Sequence, residues 1–105
     1  MSDTPPPSDE ILLSAHITVP EHVVHRAFAE ETVLLNLHTG TYHGLNPTGG
    51  RMLDLLRDTG SLPAVAEVIA REDQHPIQDV TRDLVRLCRE LAERELIEID
   101  DRPHE

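Results

Sequence analysis

Thr32-Val33-Leu34-Leu35-Asn36-Leu37-His38-Thr39-Gly40-Thr41-Tyr42-His43-Gly44-Leu45-Asn46-Pro47-Thr48-Gly49-Gly50 is the stretch whose reading decides the fold. Thr32 to Leu37 is almost continuously apolar at its centre, which suits a central strand covered on at least one face. His38-Thr39-Gly40 is a tight turn, with Gly40 free to take positive φ. Thr41 to Leu45 is the next strand. Asn46 then offers a helix cap, Pro47 suits the first helical position, and Thr48 is a competing cap. Strand, turn, strand and helix start follow one another with no spacer.

Working outward, His22 to Phe28 is rich in β-formers and Ala29-Glu30-Glu31 turns the chain, so three antiparallel strands form a meander. Ile11 to Val19 is a short apolar stretch, read as extended, that stops at Pro20. Residues 1–10 carry three consecutive prolines and three acids, and are read as a disordered tail. On the other side, Met52, Leu53, Leu55 and Leu56 stripe a first helix that ends at Asp58-Thr59-Gly60. Ser61 caps a second, with Leu62, Val65, Ala66 and Ile69 as its apolar face. Asp73 to Pro76 breaks it. A third helix runs from Pro76 or Ile77 to about Arg94. Ile77, Val80, Leu84, Leu87, Cys88 and Leu91 share one face, widened by Val85 and Ala92. Leu96 to Ile99 is a last turn or a short strand. The expected class is α+β, a winged helix-turn-helix with a three-stranded antiparallel sheet followed by three helices. The expected domain spans 11–99, between the tail and a frayed C-terminus at 100–105.

A chain of 105 residues buries one modest core. Phe28 and Tyr42 are its only aromatic residues apart from histidine, so that core is aliphatic. Twenty acidic residues against nine basic ones give a net charge of −11. All the basic residues are arginine. Such a field repels phosphate backbones and excludes nucleic acid as the expected partner. Cys88 stands alone, so no intrachain disulfide is needed. The start lacks the basic and apolar regions of a signal peptide, and no apolar run is long enough to span a bilayer. A soluble, cytoplasmic protein without membrane contact is expected.

The sequence offers little chemistry. His22 and His25 point to opposite faces of a strand, while His38 and His43 flank a turn and could approach each other. No CxxC or HExxH is present, so no metal is expected. Cys88 lies on the apolar stripe of the third helix, read as core or groove lining. Without lysine there is no Schiff-base chemistry. Gly49-Gly50 is a helix start packed on a strand, since neither phosphate-loop pattern is complete. No catalytic residue, cofactor or enzymatic activity is expected. What remains is an edge: one side of Thr41–Leu45 is paired and the other could take an added strand beside the third helix.

The stretch from Val33 to Gly49 resembles the PqqD family, with its apolar strand, glycine turn, aromatic-containing strand ending in Leu45-Asn46, and Thr48-Gly49 helix start. Leu84 to Ile97 resembles that family's terminal helix, and the likeness covers Pro20 to Ile99. It implies a recognition element that binds the leader segment of a ribosomally made precursor peptide and delivers it to a separate modifying enzyme. The acidic, stand-alone chain resembles the lasso-peptide B1 type, which implies a leader-removing cysteine protease as second partner. A monomer is expected. Carried onto this sequence, the resemblance makes Thr41, Tyr42, His43, Gly44 and Leu45 the edge strand. Val80, Leu84, Val85, Leu87 and Cys88 become the helix wall, Leu34 the floor, and Arg82, Arg86 and Arg89 rim charges for leader acids. Gly44 departs from the pattern by leaving open backbone in the edge strand. The alternatives are a PqqD-type peptide chaperone in pyrroloquinoline quinone synthesis and a winged-helix transcriptional regulator. The acidic charge argues against the regulator.

Overall fold

The computed structural model describes residues 8–100. In chain order the elements are α1 (Asp9–Ser14), β1 (His16–Thr18), β2 (Val23–Ala27), β3 (Thr32–Asn36), β4 (Tyr42–Leu45), α2 (Pro47–Thr59), α3 (Leu62–Asp73), α4 (Ile77–Glu93) and β5 (Glu98–Asp100). The expected antiparallel meander is present in the order β2-β3-β4, and α2, α3 and α4 follow it. Gly40 turns the chain between β3 and β4 at φ 75°. Asn46 caps α2 through its side-chain oxygen, which accepts the Gly49 N–H at 2.7 Å. Ser61 caps α3 in the same way from the Ala64 N–H at 3.3 Å.

Three readings of the termini are corrected. Ile11 to Ser14 is helical rather than extended, because Ser8 accepts the Ile11 N–H and Asp9 and Glu10 suit the positive end of a helix. Ser8, Asp9 and Glu10 therefore belong to α1 and its cap rather than to a tail, while residues 1–7 lie outside the described residues. Asp100 is paired rather than frayed: β5 runs antiparallel to β1, with Ile17 opposite Ile99 and His16 opposite Asp100. Residues 101–105 lie outside the described residues. A buried Leu12 carries α1 onto α3 and α4.

The core is aliphatic, as the composition requires. Leu34, Leu53, Leu56, Leu84, Leu91 and Leu96 are all buried, together with Cys88. Along β3, Thr32, Leu34 and Asn36 face this core while Val33 and Leu35 are half-buried on the other face. Asn36 is buried, and its polar atoms are matched. Its Nδ2 donates to the Glu95 carbonyl at 3.2 Å, and its Oδ1 accepts the N–H groups of His38 and Thr39 at 2.9 and 3.3 Å.

The start of α2 presses on β3 at Gly50. A Cβ there would lie 2.3 Å from Thr32 Oγ1 and 3.0 Å from Thr32 Cβ. Alanine in a helix gains about 1 kcal/mol over glycine, but overpacking costs about 1–3 kcal/mol. Gly50→Ala is therefore expected to lower the urea midpoint. Adding Thr32→Ala, which removes the nearest atom, should recover most of that loss. A double variant no more stable than the single one would place the strain elsewhere.

Candidate functional site

One edge of the meander has a wall opposite it. In antiparallel pairs, residues alternate between bonding their partner and pointing away from it. The Asn36 N–H donates to the Thr41 carbonyl at 2.9 Å, which fixes the phase. Stepping along β4, His43 and Leu45 face β3, whereas Tyr42 and Gly44, opposite Leu35 and Val33, turn their N–H and C=O groups outward. β4 is the end strand of the sheet, so these four groups lie along an open edge. Beside it runs a groove of 410 Å³ between β4, the first turns of α2, and α4. His43, Gly44 and Leu45 form one side, Asp83, Arg86, Leu87 and Glu90 the other, and Asn46, Thr48, Gly49 and Met52 close one end. His43 Nε2 reaches across to Glu90 Oε1 at 3.7 Å.

The far flank of α4 carries a second cleft, of 650 Å³, against α1. Leu13, Ile77 and Val85 supply its apolar surface, with Arg82, Arg86 and Arg89 along one border. Arg86 lines both clefts and stands on the exposed ridge between them.

Most of the residues proposed from sequence are thus sorted into three places. His43, Gly44, Leu45, Leu87 and Arg86 line the β4 groove. Val85, Arg82 and Arg89 lie over the ridge in the second cleft. Leu34, Val80, Leu84 and Cys88 are buried in the core beneath, with no surface of their own in either cleft. Tyr42 contributes backbone to the open edge, but its side chain is 76 % exposed on the sheet's outer face. Thr41 precedes β4 and shares a 2.7 Å hydroxyl contact with Thr39. Sequence reasoning missed Asn46, Met52, Asp83 and Glu90. The two acids sit three and four residues from Arg86 and Leu87, a spacing that puts them on the same flank of the helix.

His38 and His43, which flank the turn, face different partners. His38 stacks on His22, with ring centroids 3.8 Å apart, while His43 faces Glu90 instead. No three His, Cys, Asp or Glu side chains converge on a metal position among the described residues. None of the described helices is long and apolar enough to cross a membrane.

Burial pushes the Cys88 thiol from its ordinary 9.0 up to about 12, so at neutral pH it holds its proton and is a poor nucleophile. Unfolded Cys88 ionises near 9 and folded Cys88 only near 12. The thiol therefore weakens the fold as pH rises through that window.

The sequence model of coenzyme PQQ synthesis protein D (PqqD) matches residues 31–97 of the chain. Two solved structures share its fold. TbiB1 in complex with the TbiA(beta) leader peptide is 36 % identical and superposes with a TM-score of 0.72, over 77 % of this chain and 94 % of that one. A lasso peptide synthetase B1 complexed with the leader peptide is 25 % identical, with a TM-score of 0.73, over 80 % of this chain and 99 % of that one. No significant match was found among curated protein sequences.

Two outcomes follow from this geometry. In the free protein, the amides of Tyr42 and Gly44 are expected to exchange with deuterium faster than those of His43 and Leu45. Uniform protection along β4 would place the open edge elsewhere. At pH 8, Ellman's reagent should label Cys88 on the order of a thousandfold more slowly in the native chain than in the unfolded one. Rapid native labelling would show an accessible thiol.

Proposed function

Because the chain belongs to the PqqD family, we propose that it binds the leader segment of a ribosomally made precursor peptide. The leader adds as a fourth strand to β4, beside α4. The observation that carries this reading is the open edge at Tyr42 and Gly44, facing a groove whose far wall is α4. Two similar structures, both complexes with leader peptides, support it. On this reading the α2–α4 helices and the β2–β4 sheet form a winged helix-turn-helix, and the recognition domain runs from α1 through β5.

The pathway is lasso-peptide biosynthesis, in which this monomeric, cytoplasmic chain presents the leader to a separate leader-removing cysteine protease. The chain itself performs no chemistry and holds no cofactor. Its protonated, core-buried Cys88 agrees with that role. Alternate leader side chains drop toward His43, Leu45 and Leu87. Leu34, Val80, Leu84 and Cys88 hold the two walls from beneath. Gly44 admits a close backbone approach, its missing Cβ facing only the flexible end of Glu31, 2.9 Å away.

Magnitudes show what the edge alone supplies. Four backbone hydrogen bonds at about 1 kcal/mol each give about 4 kcal/mol, whereas a micromolar complex requires about 8 kcal/mol. Side chains in the grooves must provide the remainder and whatever selectivity there is.

Strand addition is tested by N-methylating the peptide backbone at alternate residues. The probe is a fluorescein-labelled leader from the precursor encoded beside this chain's gene, read by fluorescence polarisation. One alternating set removes the N–H groups that face Tyr42 and Gly44, and it should abolish saturable binding. The other set should change Kd by less than about threefold. Equal effects from both sets would exclude pairing with β4.

A further inference from the structure

The β4 groove ends on a ridge of α4, and a more apolar cleft begins on the ridge's other side. Two of the exposed large hydrophobic side chains, Leu13 at 38 % and Ile77 at 46 %, stand in that second cleft with buried Val85 at its floor. They belong to different elements, α1 and α4, so the cleft is a junction between two packed helices and not one stray residue. Water-exposed leucine and isoleucine at a concave junction favour an apolar occupant.

The charges along its border are not equivalent. Arg82 is paired with Asp79 at 2.9 Å, and Arg89 with Asp9. Arg86 makes no hydrogen bond or ion pair among the described residues, although the chain carries a net charge of −11. An unmatched guanidinium on the ridge, common to both clefts, is where a negative side chain crossing from one to the other would lie.

Resting on the strand-addition reading, we propose that the bound peptide does not end at β4. It continues over α4 at Arg86 and seats an apolar side chain between Leu13, Ile77 and Val85. The required ligand is a peptide in three parts. A strand-forming segment lies on β4, an Asp or Glu pairs with Arg86, and a large apolar residue follows in the second cleft. An α-helix is about 10 Å across with its side chains, and an extended chain advances about 3.3 Å per residue, so about three residues make the crossing. The second cleft then selects sequence, where the edge strand reads only backbone.

The test uses the full chain with ¹³C-methyl-labelled Ile and Leu and ¹⁵N-labelled amides, titrated with that same synthetic leader. At saturation the Ile77 and Leu13 methyl signals should shift along with the Gly44 amide. Ile77→Ser, at a half-exposed position, should weaken binding about tenfold and leave the Gly44 shift intact. Arg86→Gln should weaken binding to the native leader, and lose little more against a leader whose Asp and Glu are changed to Asn and Gln. A Gly44 response with silent Ile77 and Leu13 methyls, or unchanged affinity of Ile77→Ser, would overturn the second site while sparing strand addition. Silence at Gly44 as well would sink strand addition itself. Methyl shifts that follow protein concentration without peptide would assign the cleft to a second copy of the chain.

Discussion

Asn36 ties the two walls of the groove to one another. Its Nδ2 donates to the carbonyl of Glu95, 59 residues later, just past the end of α4. Its Oδ1 takes the first two amides of the turn that leads into β4. One buried side chain therefore shapes the hairpin that presents the edge and anchors the helix that faces it. Nonpolar replacement would leave three part-buried backbone groups without this partner, at about 1–3 kcal/mol for each that water does not reach. A groove formed by elements so distant in sequence needs such a link, because nothing in the helix or the hairpin alone fixes their spacing.

The helix itself then has three tasks. Val80, Leu84, Cys88 and Leu91 form its core seam, all buried. Leu87 and Val85 fall to either side of that seam, one toward the β4 groove and the other toward the α1 cleft. Between them the solvent ridge carries arginine and acid. A hydrophobic stripe wider than a coiled-coil seam permits this. Its centre holds the fold together, and its two margins remain available as surfaces.

How much of this was legible follows from the range of each interaction. β2, β3, β4 and the caps at Asn46 and Ser61 rest on neighbours within a few residues, so local pattern sufficed. α1 is six residues long, too short to persist without the burial of Leu12, and that burial depends on α3 and α4. β1 exists because Ile17 meets Ile99 across almost the whole chain, which no local pattern records. For the site, helical spacing placed Val80, Leu84, Val85, Leu87 and Cys88 on one broad face correctly. It could not say that β4 covers one margin, α1 the other, and the core the middle. Tyr42 illustrates the same limit at the strand. The phase that sends its backbone to the edge also sends its ring to the outer face, and that phase is set by the Asn36–Thr41 bond.

On the proposed reading, backbone pairing and side-chain reading are divided between surfaces. Strand addition at Tyr42 and Gly44 would accept almost any extended peptide, since every non-proline residue offers the same N–H and C=O. A strongly acidic chain with a permissive edge risks capturing any basic, extended segment that it meets. Asp83 and Glu90 beside the groove sharpen that risk. Selectivity must come from features that a random basic peptide lacks. The unmatched cation at Arg86 repels such a peptide at the ridge, and the apolar junction of α1 with α4 rewards a side chain placed at one distance from the edge. The short helix that no local pattern foretold thus supplies the surface most able to tell one peptide from another.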